Sequence, residues 1–200
     1  EDHMLRETFT VYLGQEAPLD PSDDSKDYPV NKITYSTGSQ QGQSGDEGPV
    51  SFAFDGNLNT YWHSVWHPTW ATGQHEDHLW VQFDLADTVE ASAIRYLARG
   101  GNGDITGYRV EGKTSADAEW KTLTEGEWER AGQQWNIAQF APTEVVALRL
   151  VATETYADSG NNRFASAREL PPNFTTFFIT AFLLVYASFL KSERLSKIIL

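Results

Sequence analysis

Cysteine is absent from the 200-residue chain, and its absence excludes several classes of site. A chain without cysteine has no disulfide framework, no cysteine-ligated zinc and no thiol nucleophile. The absence of cysteine alone does not decide in which cellular compartment the protein works. The first residues also lack initiator methionine and the apolar stretch of a signal peptide. We therefore expect the chain to be part of a longer protein.

Positive charge is scarce as well. Lysine and arginine number 15 against 28 aspartates and glutamates, which gives a formal net charge of −13. Such a surface does not neutralise phosphates, so the composition argues against binding nucleic acid or anionic lipid through the globular part. Neutral ligands and calcium remain compatible with it.

Helical periodicity is missing before residue 173, and alternation with a period of two takes its place. Turn residues such as Gly, Asn, Asp and Pro separate the alternating runs. Aromatic residues make up 13% of the chain, with seven tryptophans, which is typical of a β-rich protein facing carbohydrate or peptide. These features predict an all-β, antiparallel sandwich or barrel. The predicted strands cover residues 78–85, 91–98, 108–110, 120–124, 135–140 and 145–153.

The composition divides the chain into four parts. Residues 1–14 are interpreted as a short strand or the end of a preceding domain, and the Asp-, Ser- and Pro-rich residues 15–30 as a solvated linker. Residues 31–172 form the predicted globular domain. The remaining residues, 173–200, form an apolar tail.

The tail has three open interpretations. Residues 173–190 carry no charge, and their length lies at the short end of the roughly 17–25 residues that span a bilayer. The basic residues that follow would place the C-terminus inside. A buried strand and a stretch foreign to the native protein are the alternatives. A membrane contact, if there is one, is therefore expected only through residues 173–190.

One loop offers ligands for a hard cation. The sequence Asp55-Gly56-Asn57 turns sharply and is followed by Thr60, so side-chain and backbone oxygens come close together. Calcium takes six to eight oxygen ligands of this kind. An Asx turn without a metal is the alternative. An imidazole and two indoles, those of His63, Trp62 and Trp66, follow within a few residues.

Catalytic motifs are not evident. The run His75-Glu76-Asp77-His78 lacks the spacing of a zinc-binding His-Glu-x-x-His helix. A glycosidase needs two carboxyls flanking a cleft. Near the loop only Glu47 and Asp55 could supply them, and Asp55 is better used on a cation. We therefore expect this fragment itself to be non-catalytic.

Several separated segments together resemble the coagulation factor 5/8 type C, or discoidin-like, domain, and within it the bacterial family 32 carbohydrate-binding modules. The resemblance extends from about residue 31 to 170. It implies an eight-stranded jelly-roll sandwich, a structural calcium ion, and a shallow sugar site on the loops at one end. It also implies a secreted or cell-surface bacterial protein, with a glycoside hydrolase or other glycan-active catalytic domain in the same parent chain. The matching segments are 47–49, 53–57 with Thr60, 61–66, 78–85, Arg99 with 102–103, 108–110 and 164–169.

The resemblance assigns two sets of residues. The implied calcium ligands are the carbonyls of Phe52 and Asn57, the side chains of Asp55 and Glu169, and the hydroxyl and carbonyl of Thr60. The implied sugar is a terminal galactose or N-acetylgalactosamine on a glycan. The residues implied to bind it are His63, Arg99, Asn102, Glu47, Trp66 and Phe164.

Plainer interpretations exist for some of these residues. His63 could be a core histidine, Arg99 a solvated edge residue, and Asp46 could replace Glu47. Trp62 and Trp80 are expected in the core. The consecutive prolines Pro171 and Pro172 are expected to interrupt the last strand, because proline is excluded from central strands.

One other binding function competes with sugar binding. A discoidin-like adhesion or lipid-binding module would bind another ligand at the cell surface. Lipid-binding relatives project apolar side chains amid basic residues, which the acidic charge of this chain disfavours.

Overall fold

The computed structural model describes residues 20–66, 78–158 and 164–173. Within these ranges the regular structure consists of β-strands and two short 3-10 helices, Val30–Lys32 and Val50–Phe54. The strands in chain order are β1 (Ile33–Thr37), β2 (Glu47–Gly48), β3 (Tyr61–His63), β4 (Trp80–Leu97), β5 (Ile105–Lys113), β6 (Lys121–Glu127), β7 (Trp135–Thr155), β8 (Ser166–Ala167) and β9 (Pro172–Asn173).

The strands form a large and a small sheet. The six-stranded sheet has the order β1-β4-β7-β5-β6, with β9 also paired to β4, and the three-stranded sheet has the order β2-β3-β8. Among the described strands, β2 and β3 run parallel and the other pairs are antiparallel. The apolar core lies between the sheets, with Trp62 of β3 and Phe83 of β4 almost fully buried. The predicted antiparallel sandwich is confirmed.

Two long strands replace four predicted short ones. The predicted strands at 78–85 and 91–98 are one strand, β4, and those at 135–140 and 145–153 are one strand, β7. Their pairing shifts register between Asp84 and Val89 and between Ala91 and Ala93. Such irregularities bend a strand without ending it, which is why the sequence pattern breaks while the strand continues.

Trp80 is not in the core, contrary to the prediction. It is only partly buried, whereas its neighbours Leu79 and Val81 are 3% and 1% exposed. Successive side chains of a strand point to opposite faces, so Trp80 must lie on the outer face of β4. There the Arg149 guanidinium lies 5.5 Å from its ring centre. Trp62, by contrast, is in the core as predicted.

The two prolines do not end the pairing at the last strand. The carbonyl of Pro171 accepts a hydrogen bond from the Arg95 amide, and Pro172 pairs with Ile94 in β9. A proline lacks the donor but keeps the acceptor, so carbonyls can hold the segment to β4. The expected interruption is therefore wrong.

Part of the predicted linker packs against the large sheet. The Arg95 side chain, 1% exposed, donates to the carbonyl of Pro21 at 2.7 Å and pairs with Asp27. Tyr28 is 7% exposed. Residues 20–30 are thus not a free solvated linker, because their acidic and carbonyl groups satisfy a buried arginine.

The described residues contain no helix long and apolar enough to cross a membrane. The predicted membrane segment at 173–190 lies, apart from residue 173, outside the described residues. The predicted strand or domain end at 1–14 lies outside them as well.

Candidate functional site

The small sheet gathers side chains around Tyr61. The parallel pairing of β2 with β3 places Glu47 beside Tyr61, and the tyrosine hydroxyl donates to Glu47 Oε2 at 3.3 Å. The Arg99 guanidinium lies 4.3 Å from the centre of the Tyr61 ring. An arginine over an aromatic face is held by attraction to the ring's electron density. Tyr61 therefore connects an acidic residue of β2 to the basic residue that follows β4.

His63 forms the floor of this cluster. It is 2% exposed, and its Nδ1 lies 2.6 Å from the carbonyl oxygen of Ser64. A carbonyl only accepts, so Nδ1 carries the proton and Nε2 is left as an acceptor. Burial lowers the pKa of His63 below its ordinary value, against the smaller opposing effects of the Ser64 hydrogen bond and the Glu47 charge. The ring is therefore neutral at physiological pH.

Phe164 covers one face of the imidazole. The two ring centres are 5.3 Å apart with an angle of 28° between the planes. The pairing of β3 with β8, which sets His63 opposite Ser166, brings this segment alongside the histidine. The Ser64 hydroxyl fixes it further by accepting from the Ala165 amide at 2.9 Å.

The loop after β4 supplies two polar groups. One Arg99 nitrogen donates to the Asn102 carbonyl at 3.3 Å, and the Asn102 Oδ1 accepts from the Asp158 amide at 2.7 Å. The Asn102 side chain therefore has its N–H donors to offer a ligand. The loop turns at Gly103, where φ is +88° and an added Cβ would lie 2.8 Å from the Ser166 hydroxyl. Only glycine fits both conditions.

The structure thus brings together five of the six predicted sugar ligands: Glu47, His63, Arg99, Asn102 and Phe164. Trp66 follows His63 by three residues and is 52% exposed. In the described ranges no hydrogen bond or ring contact joins Trp66 to the others. Between Glu47 and its alternative Asp46, the Glu47 carboxylate is the one bonded to Tyr61.

Tyr61 itself was missed by the sequence interpretation. It lies in the matching segment 61–66 and was not assigned to the site, yet it contacts Glu47 and Arg99 and packs edge-on to His63 at 6.2 Å. The available signal was its spacing. Tyr61 and His63 are two apart on a strand, so they lie on the same face, opposite to Trp62.

A second cluster precedes β3 and consists of oxygens. The Thr60 hydroxyl lies 2.8 Å from Asp55 Oδ2 and 2.9 Å from the Asn57 carbonyl. The Asp55 Oδ1 accepts from the Asn57 amide at 2.8 Å. The 3-10 helix that contains Phe52 leads directly into Asp55. An Asx turn is therefore present, as the plainer interpretation predicted, and the oxygens converge as well.

Glu169 joins this second cluster from the far end of the chain. It is 8% exposed, and among the buried side-chain atoms of the described residues its Oε1 alone has no hydrogen-bond partner. Burial, and secondarily the Asp55 charge, raise the pKa of Glu169 to about 7, while the Gly56 amide opposes this by donating to it. A buried carboxyl beside a second carboxylate is the environment that a cation would stabilise.

The donor set fits calcium better than zinc. No three His, Cys, Asp or Glu side chains gather into a metal site in the described part of the chain. A cation at Asp55 and Glu169 would need neutral oxygens, such as the Asn57 carbonyl and the Thr60 hydroxyl, which calcium accepts readily.

Most of the run from His75 to His78 lies outside the described residues.

Comparison with known proteins agrees with the resemblance found in the sequence. The family model described as "F5/8 type C domain" matches residues 32–170. The module CpGH89CBM32-5 from Clostridium perfringens, solved in complex with GalNAc-β-1,3-galactose, is 29% identical with a TM-score of 0.62, covering 74% of this chain and 98% of its own.

Two further modules from the same organism are similar. The family 32 module of NanJ from C. perfringens, solved in complex with galactose, is 27% identical with a TM-score of 0.60, covering 74% of this chain and 97% of its own. The CBM32-3 module of a C. perfringens family 31 glycoside hydrolase is 23% identical with a TM-score of 0.58, covering 76% of this chain and 96% of its own. The jelly-roll form of the predicted sandwich is confirmed by these likenesses.

Proposed function

Because the chain belongs to the F5/8 type C domain family, we propose that it is a non-catalytic carbohydrate-binding module for terminal galactose or N-acetylgalactosamine. The observation that carries the proposal is the cluster of neutral His63, Arg99 and Asn102 beside Phe164. The sugars are those named in the complexes of the two modules that are 27–29% identical.

The cluster offers groups that match a galactose-type ring. Its neighbouring hydroxyls present donors and acceptors in turn. His63 Nε2 accepts, whereas the Arg99 guanidinium and the Asn102 amide donate. One face of such a ring is rich in C–H groups and packs on an aromatic plane, for which Phe164 and the exposed Trp66 are the candidates. Hydrogen bonds would thus orient the sugar and apolar contact would add affinity.

A shallow site of this kind binds weakly. A monosaccharide has about a dozen heavy atoms, and at roughly 0.3–0.5 kcal/mol per atom it gains about 4–6 kcal/mol. The corresponding Kd is between about millimolar and tens of micromolar. Such an affinity is sufficient to hold a tethered protein on a dense glycan surface, because many weak contacts act together.

Calcium is proposed at the second cluster. Asp55, Asn57, Thr60 and Glu169 would hold it, with the Phe52 carbonyl as a further ligand. The unpartnered Oε1 of buried Glu169 supports this assignment. When bound, the ion supplies positive charge that neutralises two adjacent carboxylates. These residues connect the segment after β8 to the turn before β3. His63 is the last residue of β3.

The wider setting is also a proposal. The chain would be one module of a secreted or cell-surface bacterial protein that carries a glycan-active catalytic domain. The support is the 29% identical module, CpGH89CBM32-5, whose name refers to a family 89 glycoside hydrolase of C. perfringens. Catalysis by the fragment is disfavoured because a glycosidase needs two carboxyls flanking one cleft, whereas Glu47 lies in the cluster around Tyr61 and Asp55 in the turn with Thr60.

An adhesion module with a different ligand is the second candidate. The observation in its favour is that the apolar side chains of Leu58 and Trp66, on either side of β3, are 50% and 52% exposed. Binding to phosphatidylserine vesicles that survives the loss of Arg99 and His63 would favour this candidate.

A glycan array with and without chelator tests the proposed function. We expect signal on glycans that end in galactose or N-acetylgalactosamine, and reduced signal after chelation. Signal confined to other termini would contradict the sugar assignment. Equal array signal with and without chelator would contradict a role for calcium in binding and would leave the proposal of sugar binding unchanged.

A further inference from the structure

A further group of side chains lies directly beside Asn102. The backbone amide of Asp158 donates to Asn102 Oδ1 at 2.7 Å, so Asp158 is the immediate neighbour of the proposed sugar ligand. The Asp158 side chain is exposed, and its Oδ1 accepts from the Tyr156 hydroxyl at 2.5 Å. A ligand that extends beyond Asn102 would meet these two residues next.

Arg130 completes this group from the segment between β6 and β7. Its guanidinium carbon lies 3.5 Å from the centre of the Tyr156 ring, and its side chain is 35% exposed. Its Nε pairs with Asp104 at 3.3 Å, and Asp104 is 2% exposed. A buried carboxylate therefore holds an exposed guanidinium over an aromatic ring. This arrangement orders a long side chain before any ligand arrives.

Backbone bonds connect the group to the loop that carries Asn102. The Gly103 amide donates to the Tyr156 carbonyl at 2.7 Å, and the Tyr156 amide donates to the Asp104 carbonyl at 2.8 Å. The Gly100 amide donates to Asp104 Oδ1 at 2.9 Å. The position of Tyr156 and Asp158 relative to Asn102 is thus fixed by the same loop that places Arg99.

The chemistry of the group fits a polar, uncharged ligand. Asp158 offers carboxylate oxygens and Arg130 offers guanidinium donors, the combination that binds vicinal hydroxyls. Hydrogen bonding to Asp158 raises the pKa of Tyr156, so its hydroxyl keeps its proton. Asp104 pairs with Arg130, and Asp158 adds a second carboxylate, so the group has one more negative than positive charge, which disfavours acidic ligands.

We infer that Arg130, Tyr156 and Asp158 form an outer subsite that receives the second, neutral sugar unit of a glycan. The inference rests on the proposed function, because the first sugar would be the one bound by His63, Arg99 and Asn102. With the outer subsite, the module recognises a disaccharide rather than a terminal sugar alone. It selects against glycans whose second unit carries a carboxylate.

Calorimetric titration with four neutral probes tests the outer subsite: N-acetylgalactosamine, GalNAc-β-1,3-galactose, galactose and lactose. In the unchanged protein at least one disaccharide should bind about threefold to tenfold more tightly than its terminal monosaccharide, the effect of one or two added hydrogen bonds. The variant Asp158→Ala should abolish this advantage and leave monosaccharide Kd values unchanged. Exposed Asp117, in the β5–β6 turn, gives the matched control Asp117→Ala, which should keep the advantage.

A charged probe tests the selectivity. Lactobionate, whose second unit carries a carboxylate, should bind more weakly than lactose. Asp158→Asn removes one negative charge and should reduce that difference by about threefold. A mere structural role of Asp158 would not alter the ratio between the two probes.

Each result decides between the claims. If monosaccharides bind but Asp158→Ala leaves the disaccharide advantage intact, or no disaccharide has an advantage, the outer subsite is wrong and the proposed function stands. If the folded protein binds none of the four neutral probes, the proposed function fails and the outer subsite with it.

Discussion

The two clusters near β3 differ in how far their polar groups are satisfied. In the cluster around Asp55, in the turn before β3, Glu169 has a buried oxygen without a hydrogen-bond partner among the described residues and lies close to Asp55. In the cluster around Tyr61, on β3 itself, the His63 Nδ1 bonds to Ser64, and Arg99 lies on Tyr61 and bonds to Asn102. The cluster around Asp55 thus keeps a buried carboxylate oxygen without a partner among the described residues, whereas the cluster around Tyr61 is ordered by its own contacts.

This difference separates stability from recognition. A buried carboxyl beside another carboxylate costs free energy, which a bound cation would recover as stability of the folded state. The cluster around Tyr61 has its side chains in place without such help. We therefore expect changes in the cluster around Asp55 to affect melting, and changes in the cluster around Tyr61 to affect sugar binding.

The largest expected effect is on melting. A calcium ion bound at about a hundred times its Kd stabilises the folded state by about 2.7 kcal/mol, so chelator should lower the Tm by about 10 °C. Asp55→Ala should lower the Tm by a similar amount, and chelator should then add little, because both act on the same site. Calorimetric melting provides the measurement.

The matched control for melting is again Asp117→Ala, which removes the same charge from an exposed turn. It should leave the Tm and its response to chelator unchanged. If neither chelator nor Asp55→Ala changes the Tm, the cluster around Asp55 needs no cation. The proposed difference between the two clusters would then be wrong.

The next effect is on affinity. Arg99→Ala removes charge-assisted hydrogen bonds, worth about 1.5–3 kcal/mol, and should weaken N-acetylgalactosamine binding by about tenfold to a hundredfold. The Tm should change little, because Arg99 is only partly buried. Lys121→Ala, which removes a positive charge from the exposed start of β6, is the control. A fall in Tm with unchanged affinity would assign Arg99 to the scaffold instead.

A pH titration of sugar binding should show a smaller effect. Burial lowers the pKa of His63 below its ordinary value of 6.5, so the ring stays neutral above pH 6.5. A depressed histidine pKa means that stability and the Nε2 acceptor are both present above pH 6.5 and lost as the pH falls through the folded-state pKa. Affinity measured by calorimetry should therefore be constant above pH 6.5 and fall only in more acidic solution. A loss of affinity centred above pH 6.5 would contradict the neutral acceptor.

The smallest expected effect is that of Trp66. Its side chain is 52% exposed, so Trp66→Ala should leave the Tm unchanged. Loss of aromatic packing should weaken sugar binding by about fivefold, corresponding to roughly 1 kcal/mol. Tryptophan fluorescence during titration reports the contact, and unchanged affinity would remove Trp66 from the site.

Local patterns in the sequence were sufficient to predict the sandwich and most of the cluster. Alternation along Leu79, Val81 and Phe83 identified the inner face of β4, and the family segments located Glu47, His63, Arg99 and Asn102. Trp80 was misplaced because an indole was assumed to be core, although alternation already set it opposite to Leu79 and Val81.

The features that could not be predicted from the sequence depend on contacts between distant segments. The role of Tyr61 comes from Glu47 on β2 and Arg99 after β4, which only the strand pairing brings together. The docking of residues 20–30 depends on Arg95, an apparently ordinary strand arginine that the fold buries. The prolines at 171–172 looked disruptive because the sequence does not show that their carbonyls are the groups used.

The most direct test is a heteronuclear NMR titration of the protein with N-acetylgalactosamine. The account predicts saturable shifts of the Trp66 indole and of the Arg99, Asn102 and Phe164 amides, with a Kd between about millimolar and tens of micromolar. Amides of the β5–β6 turn should not move. Saturable shifts confined to other parts of the chain, or no shift far above millimolar sugar, would contradict the proposal that this cluster is the sugar site.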